Sequence, residues 1–287
     1  MSVRNIITVD LEEWFHVCGL EDRFPQARWP ALEARVIEST ERLLRIFSHS
    51  GVRATFFVLG AIAEQHPDLI GHIRDEGHEI ASHGYAHQRV YDMTPAHFRD
   101  DLRKASGLLS AITKKPVKGY RAPEWSIRDD SLWALDILIE EGFLYDASMT
   151  PLPIIGNPRY SRLPVRLQRA QGALWEFPPL VAATPFVNLP LGGSWGLRVF
   201  PYRMLRNAIR NMNAREQPAL IYLHPRELDP ACPRVKLPLY RSMALYAGTR
   251  AVEGKLLRLL DEFTFTAAED ILAQYQAEGA GLSDQSA

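Results

Sequence analysis

What most constrains the fold of this chain is a repeated alternation: short apolar runs that read as strands, each followed closely by a stripe of helical period. Residues 6–9 form a β-branched run. A helix over 32–50 follows, with Val36, Leu43, Leu44 and Phe47 on one face and Gly51 as its stop. The next strand is 54–60, the next helix 61–77 with a break at Pro67, and another strand begins at Ile80. A helix over 94–112 has Thr94 as its cap and Pro95 in its first turn. Val117 opens a strand and loop, 129–141 is helical up to Gly142, and 143–147 is extended again. Such alternation with short connections argues a parallel sheet or barrel covered by helices, an α/β fold.

The alternation fails over 149–172, where Pro151, Pro153, Gly156, Pro158 and Pro164 mark a long irregular excursion. A loop of that length inside a domain is more often functional than idle. Regular structure restarts at Trp175, with a helix over 202–212 and a buried strand over 218–224 that ends in His224. A helix over 255–263, a short strand over 264–266 and a last helix over 268–275 complete the chain. The expectation is one domain over 1–275, with the excursion near 149–172 and a disordered tail over 276–287.

Composition mainly excludes. With 46% hydrophobic and 23% charged residues, the 287-residue chain matches ordinary soluble proteins. A net charge of −1 leaves no electrostatic footprint for nucleic acid or an anionic membrane. Cys18 and Cys232 are too few for a disulfide framework. No run reaches the ~18 apolar residues of a transmembrane segment, and the first residues lack the apolar core of a secretory leader. These features make the cytoplasm the expected compartment and leave a homo-oligomer open.

The polar residues that stand out come just after strands, where barrel folds build active sites. His83 and His87, separated by Gly84, Tyr85 and Ala86, can turn toward one cation, because neutral imidazoles at this spacing are good ligands for Zn²⁺ and similar ions. The alternative is a pair of surface histidines on one helical turn. Asp10 and Glu12 lie on the same side of an extended backbone; alternatively, Asp10 caps a helix with Glu12 and Glu13 in its first turn.

Four motifs occur in a telling order: Thr8-Val9-Asp10-Leu11-Glu12, Ser82-His83-x-x-x-His87, Tyr120-Arg121-Ala122-Pro123 and Leu223-His224-Pro225. Over residues 3–275 the chain resembles the polysaccharide deacetylases, metal-dependent carbohydrate esterases related to the rhizobial nodulation-factor deacetylase. The stretches Gly192-Gly193-Ser194-Trp195-Gly196 and His224-Pro225-Arg226-Glu227-Leu228-Asp229-Pro230 resemble a subgroup from exopolysaccharide biosynthesis loci.

The resemblance implies a distorted (β/α) barrel, usually of seven strands, and an enzyme that hydrolyses carbon–nitrogen bonds other than peptide bonds. That enzyme would remove N-acetyl groups from amino sugars of a polysaccharide or its oligosaccharide precursor. It implies a divalent metal, Zn²⁺ first with Co²⁺, Ni²⁺ or Mn²⁺ as alternatives, on Glu12, His83 and His87, with Asp10 as the base. Many members have two adjacent aspartates where this chain has Asp-x-Glu, so Glu13 or Asp10 itself stays open as the third ligand. Arg121 would orient Asp10 and keep it ionised, unless it is an ordinary ion pair. His224 suits the general acid, and Asp146 is the candidate for the carboxylate that keeps it cationic. Trp14, Pro123, Trp125 and Trp195 lie where they could contact an N-acetylated carbohydrate, although such tryptophans more often pack. Two other functions fit the residues less fully: an amidohydrolase of cyclic imides or ureides, and a catalytically silent carbohydrate-binding component of exopolysaccharide assembly.

Overall fold

Seven parallel strands form the centre of the computed structural model, which describes residues 3–17, 19–184, 187–278 and, as backbone only, 284–286. In chain order these strands are β1 (Asn5–Leu11), β2 (Thr55–Val58), β3 (Glu79–Ser82), β4 (Gly119–Tyr120), β5 (Tyr145–Asp146), β7 (Gly172–Glu176) and β10 (Leu220–Leu223). They lie in the order β10-β1-β2-β3-β4-β5-β7. Helices α1 (Val36–Ser50), α2 (Gly60–Gln65), α3 (Pro67–Asp75), α4 (Pro95–Thr113) and α5 (Trp133–Glu140) connect the first five. The expected punctuation is in place: Gly51 ends α1 in a left-handed turn, Pro67 starts α3, and Thr94 accepts a hydrogen bond from His97 N at the head of α4.

Alternation along β1 sorts its side chains. Ile7, Val9 and Leu11 join Val36, Leu43 and Phe47 of α1 in the layer beneath the helices. Ile6 packs inside the curl with Phe57, Ala81, Tyr145 and Phe177, and Thr8 and Asp10 continue that inner face. Full burial of a side chain such as Phe47 contributes roughly 1.5–3 kcal/mol.

The sheet curls until its ends approach, but they do not pair as strands. Leu180 N donates to Leu220 O (2.9 Å), Gly192 N to Leu180 O (2.6 Å) and Tyr222 N to Gly192 O (2.7 Å). A Cβ on Gly192 would sit 2.5 Å from Leu180 N and 2.6 Å from Leu220 O, so this crossing admits only glycine. The result is the expected distorted barrel of α/β class, with one irregular closure.

The excursion is less irregular than its prolines suggest. β6 (Val165–Arg169) pairs antiparallel with β7, and its Val165 and Leu167 face inward while Arg166 and Gln168 face out. A small hairpin, β8 (Val181–Ala183) with β9 (Asn188–Pro190), and the helix α6 (Ser194–Val199) precede α7 (Tyr202–Asn213). After β10 come α8 (Leu239–Tyr246), α9 (Val252–Glu262), β11 (Phe265–Thr266), which also pairs with β1, and α10 (Ala268–Ala277). Part of the expected tail is therefore helix α10, and residues 284–286 form a strand beside β6. Cys18, residues 279–283 and Ala287 lie outside the described residues. No helix among the described residues is long and apolar enough to cross a membrane.

Candidate active site

All four motifs arrive at one end of the barrel, the C-terminal ends of β1, β3, β4 and β10. Beyond β3 the chain turns left-handed at Gly84 (φ 73°) and again at His87 (φ 54°). The carbonyls of Gly84 and Tyr85 accept from Gly60 N and Ala61 N at the head of α2, and Tyr85 N donates to Asp101. The His83–His87 segment is thus a clamped loop rather than a helical turn. A positive φ at a histidine is uncommon and is held here by these surroundings.

The clamp aims both imidazoles at a single oxygen. Glu12 Oε1 lies 3.1 Å from His83 Nε2 and 3.0 Å from His87 Nε2. His83 Nδ1 is 2.7 Å from the carbonyl of Arg121, which can only accept, so Nδ1 donates to it and Nε2 is the nitrogen left to face a cation. Three donor atoms within 4.8 Å of one another, two imidazole nitrogens and a carboxylate oxygen, suit a divalent cation such as Zn²⁺. The carbonyl behind His83 is the kind of outer partner that fixes a ligating imidazole. Burial pushes the Glu12 carboxyl up, yet the imidazoles of His87, His224 and His83 outweigh it and hold the group well below the carboxylate range.

Asp10 and Glu13 have other partners. Arg121, only 1% exposed, donates from Nη1 to Asp10 Oδ1 (2.6 Å) and to Thr8 Oγ1 (2.8 Å), and from Nε to Ala147 O (3.1 Å). Its guanidinium lies over the rings of Phe57 (4.1 Å), Trp125 (5.0 Å) and Tyr222 (5.4 Å). Glu13 turns away and accepts from Arg35 N (2.7 Å) and Val36 N (2.9 Å), capping α1. Helix capping does occur on this segment, but through Glu13.

His224 stands on the opposite side, with Nε2 3.7 Å from Glu12 Oε2 and Nδ1 without a hydrogen-bond partner among the described residues. Burial, with the charge of Arg226, lowers its proton affinity by more than Glu12, Glu227 and Asp10 raise it, so the imidazole sits below its usual range. Asp146 is not brought to His224. It bonds to Ser148 and faces Glu176, and burial pushes it up to about 6. The carboxylates that face His224 are therefore Glu12, Glu227 and Asp10.

The aromatic candidates divide. Trp125, 7% exposed, follows Pro123 through two left-handed residues, Glu124 and Trp125, and packs on Tyr222 and Arg121. With Trp195, 40% exposed, it lines an apolar cleft of about 430 Å³ that also reaches Ile155, Leu180 and Tyr222. Trp14 lines a different cleft, beside Arg226. Sequence reasoning passed over His16, whose ring stacks on His87 (5.7 Å, 12° between planes) and whose Nδ1 accepts from Glu13 N. Burial keeps His16 neutral, its proton affinity well below the usual imidazole range. Its place four residues beyond the first motif was the available signal, but spacing alone does not reveal a stacking partner.

The comparisons agree with this geometry. Residues 34–138 match the Polysaccharide deacetylase family model, and residues 147–273 match a Domain of unknown function (DUF3473). Over residues 34–138 the chain is thus similar to the polysaccharide deacetylases. A peptidoglycan deacetylase of Helicobacter pylori is 30% identical over 169 residues, which are 57% of this chain and 55% of that protein. The chain thus spans about half the length of that curated relative. Among solved structures, a Mycobacterium smegmatis protein provisionally described as a polysaccharide deacetylase superposes with a TM-score of 0.67 at 19% identity, covering 99% of this chain and 94% of its own. An allantoinase superposes at 0.64 and 17% identity, covering 96% and 90%. At such identities these two likenesses show the shared fold alone. Both matched stretches contribute strands to the same curled sheet.

Proposed function

We propose that the protein is a metal-dependent hydrolase that removes N-acetyl groups from amino sugars of a polysaccharide or its oligosaccharide precursor. The observation that carries this reading is the convergence of Glu12, His83 and His87 with the Asp10–Arg121 pair and His224 around one point. A divalent cation on the three ligands would supply Lewis acidity, lowering the pKa of a coordinated water and polarising the acetamide carbonyl. Asp10, oriented by Arg121, takes the proton of the attacking water. His224 gives its proton to the amine nitrogen as the carbon–nitrogen bond breaks, leaving acetate and a free amino sugar. Trp125 shields Arg121 from solvent on one side, and the apolar cleft beyond offers Trp195 to a sugar face. The exopolysaccharide setting rests on the stretches around Trp195 and after His224.

The test is acetate release from a panel of N-acetylated oligosaccharides, with cyclic ureides as the competing substrates, by protein loaded with Zn²⁺ or Co²⁺. Acetate released only from the sugars, and stopped by a chelator, is the expected result. Ring opening of a ureide, or no turnover with stoichiometric metal bound, overturns the reading. The role of His224 has its own check. His224→Gln should keep the metal and lose most amide turnover, since general-acid help is worth ~10²–10⁴-fold. It should lose far less on an activated aryl acetate, whose leaving group needs no proton; equal losses on both remove His224 from the acid role.

A further inference from the structure

The second cleft, about 360 Å³, opens between the loop after β1 and the segment after β10. Its wall carries Trp14, Arg42, Arg226, Arg234, Tyr246 and Arg250. Three carboxylates also line it, and each already has a guanidinium partner. Glu227 pairs with Arg198 (3.2 Å), Asp229 forms a two-pronged bridge with Arg35 (2.9 Å), and Glu253 pairs with Arg42 (2.6 Å). Arg226, Arg234 and Arg250 have no ion pair among the described residues, so the cleft has a surplus of positive charge in a chain whose net charge is −1. Arg226 Nη1 is shut off from solvent with no hydrogen-bond partner among the described residues. A buried guanidinium donor left unmade is costly, and it points to an acceptor that the protein itself does not provide.

Position links this cleft to the reaction. Trp14 comes two residues after Glu12, and Arg226 two after His224. Tyr222, His224 and Arg226 step in turn from the apolar cleft, past the ligand cluster, into the basic one. A guanidinium presents a planar fork that matches a carboxylate or phosphate. We propose that the basic cleft receives an anionic group, a carboxylate or a phosphate, carried by a sugar unit next to the one whose acetamido group reaches Glu12, His83 and His87. This inference rests on the deacetylase reading for the identity of the ligand, but not for its binding.

Binding can therefore be measured apart from turnover. Calorimetry on the full chain would compare glucose tetramer, a tetrasaccharide alternating glucuronate and glucose, and glucose tetramer with a reducing-end phosphate; none has an acetamido group. At least one charged compound should bind about tenfold more tightly than the neutral one, the scale of one charge-assisted contact, with the advantage shrinking as salt rises. Arg226→Gln should abolish the advantage. Arg250→Gln, at an exposed position that folding tolerates, should reduce it. Which charged compound is preferred identifies the source of the anion. No preference for either, or one that survives both substitutions, overturns the proposal. A retained preference in protein that releases no acetate from any N-acetylated sugar would refute the deacetylase reading and leave the anion site standing.

Discussion

Asp10, in β1, and Glu12, just past its end, lie two residues apart, yet one oxygen of Glu12 faces two imidazoles while Asp10 is held by a guanidinium. That difference in partners lets the two proposed roles be tested separately. Asp10→Asn should retain the metal and lose ~10²–10⁴-fold in turnover, the usual worth of a general base. Glu12→Ala should weaken metal affinity, and metal titrations giving the reverse pattern would exchange the two roles. Arg121 carries structural weight as well. Arg121→Gln leaves the buried Asp10 carboxylate without its cation, and the loss of one partner from a buried pair costs ~3–5 kcal/mol. Urea denaturation reads that loss directly, and an unchanged midpoint would show that Asp10 finds another partner.

At the scale of single elements, β3 begins with a carboxyl far from the reaction. Glu79 is buried and accepts from Thr55 Oγ1 (2.6 Å), Tyr145 OH (2.7 Å) and Glu269 N (3.0 Å). Burial first, then the charge of Glu269, outweigh these bonds and raise it from 4.5 to about 7. A carboxyl raised in the folded state binds its proton more tightly there, so its contribution to stability is full below pH 4.5 and is lost as pH rises through about 7. Each pH unit of that window is worth up to about 1.4 kcal/mol. Glu79→Gln should flatten the fall in stability between those limits, and an identical pH dependence in both proteins would refute the assignment. The elements also show what the sequence could convey. Strands with apolar runs and helices with marked ends, such as α1 before Gly51 and α4 after Thr94, were legible because their signals are local. β6 was not, because Pro164 precedes it and its outward residues are Arg166 and Gln168. Likewise His83 and His87 are neighbours in sequence and could be paired on sight. The capping of α1 by Glu13, the stacking of His16 on His87 and the separation of Asp146 from His224 depend on where distant segments meet.

For the whole molecule, the three ligands come from the ends of β1 and β3, which flank β2. A cation there would tie together strands that are not hydrogen-bonded to each other. Ligand binding to the native state adds ~2.7 kcal/mol at a hundredfold excess over Kd, so a chelator should lower Tm by roughly 5 °C. The double substitution His83→Ala with His87→Ala should remove that response, and a chelator shift that persists would place the cation elsewhere. The ring of strands has one other joint, where Leu180 and Gly192 bridge β10 with a handful of backbone bonds in place of a ladder. Such a joint is the weakest hoop of the barrel, and local opening begins where backbone bonds are fewest. Amide hydrogen exchange should therefore run faster at Leu180, Gly192 and Tyr222 than at Val9 or Phe57. Leu180 and Tyr222 also line the apolar cleft, so the seam doubles as a jaw. A sugar chain seated there would staple the barrel shut, and exchange along the seam would slow as substrate fills it.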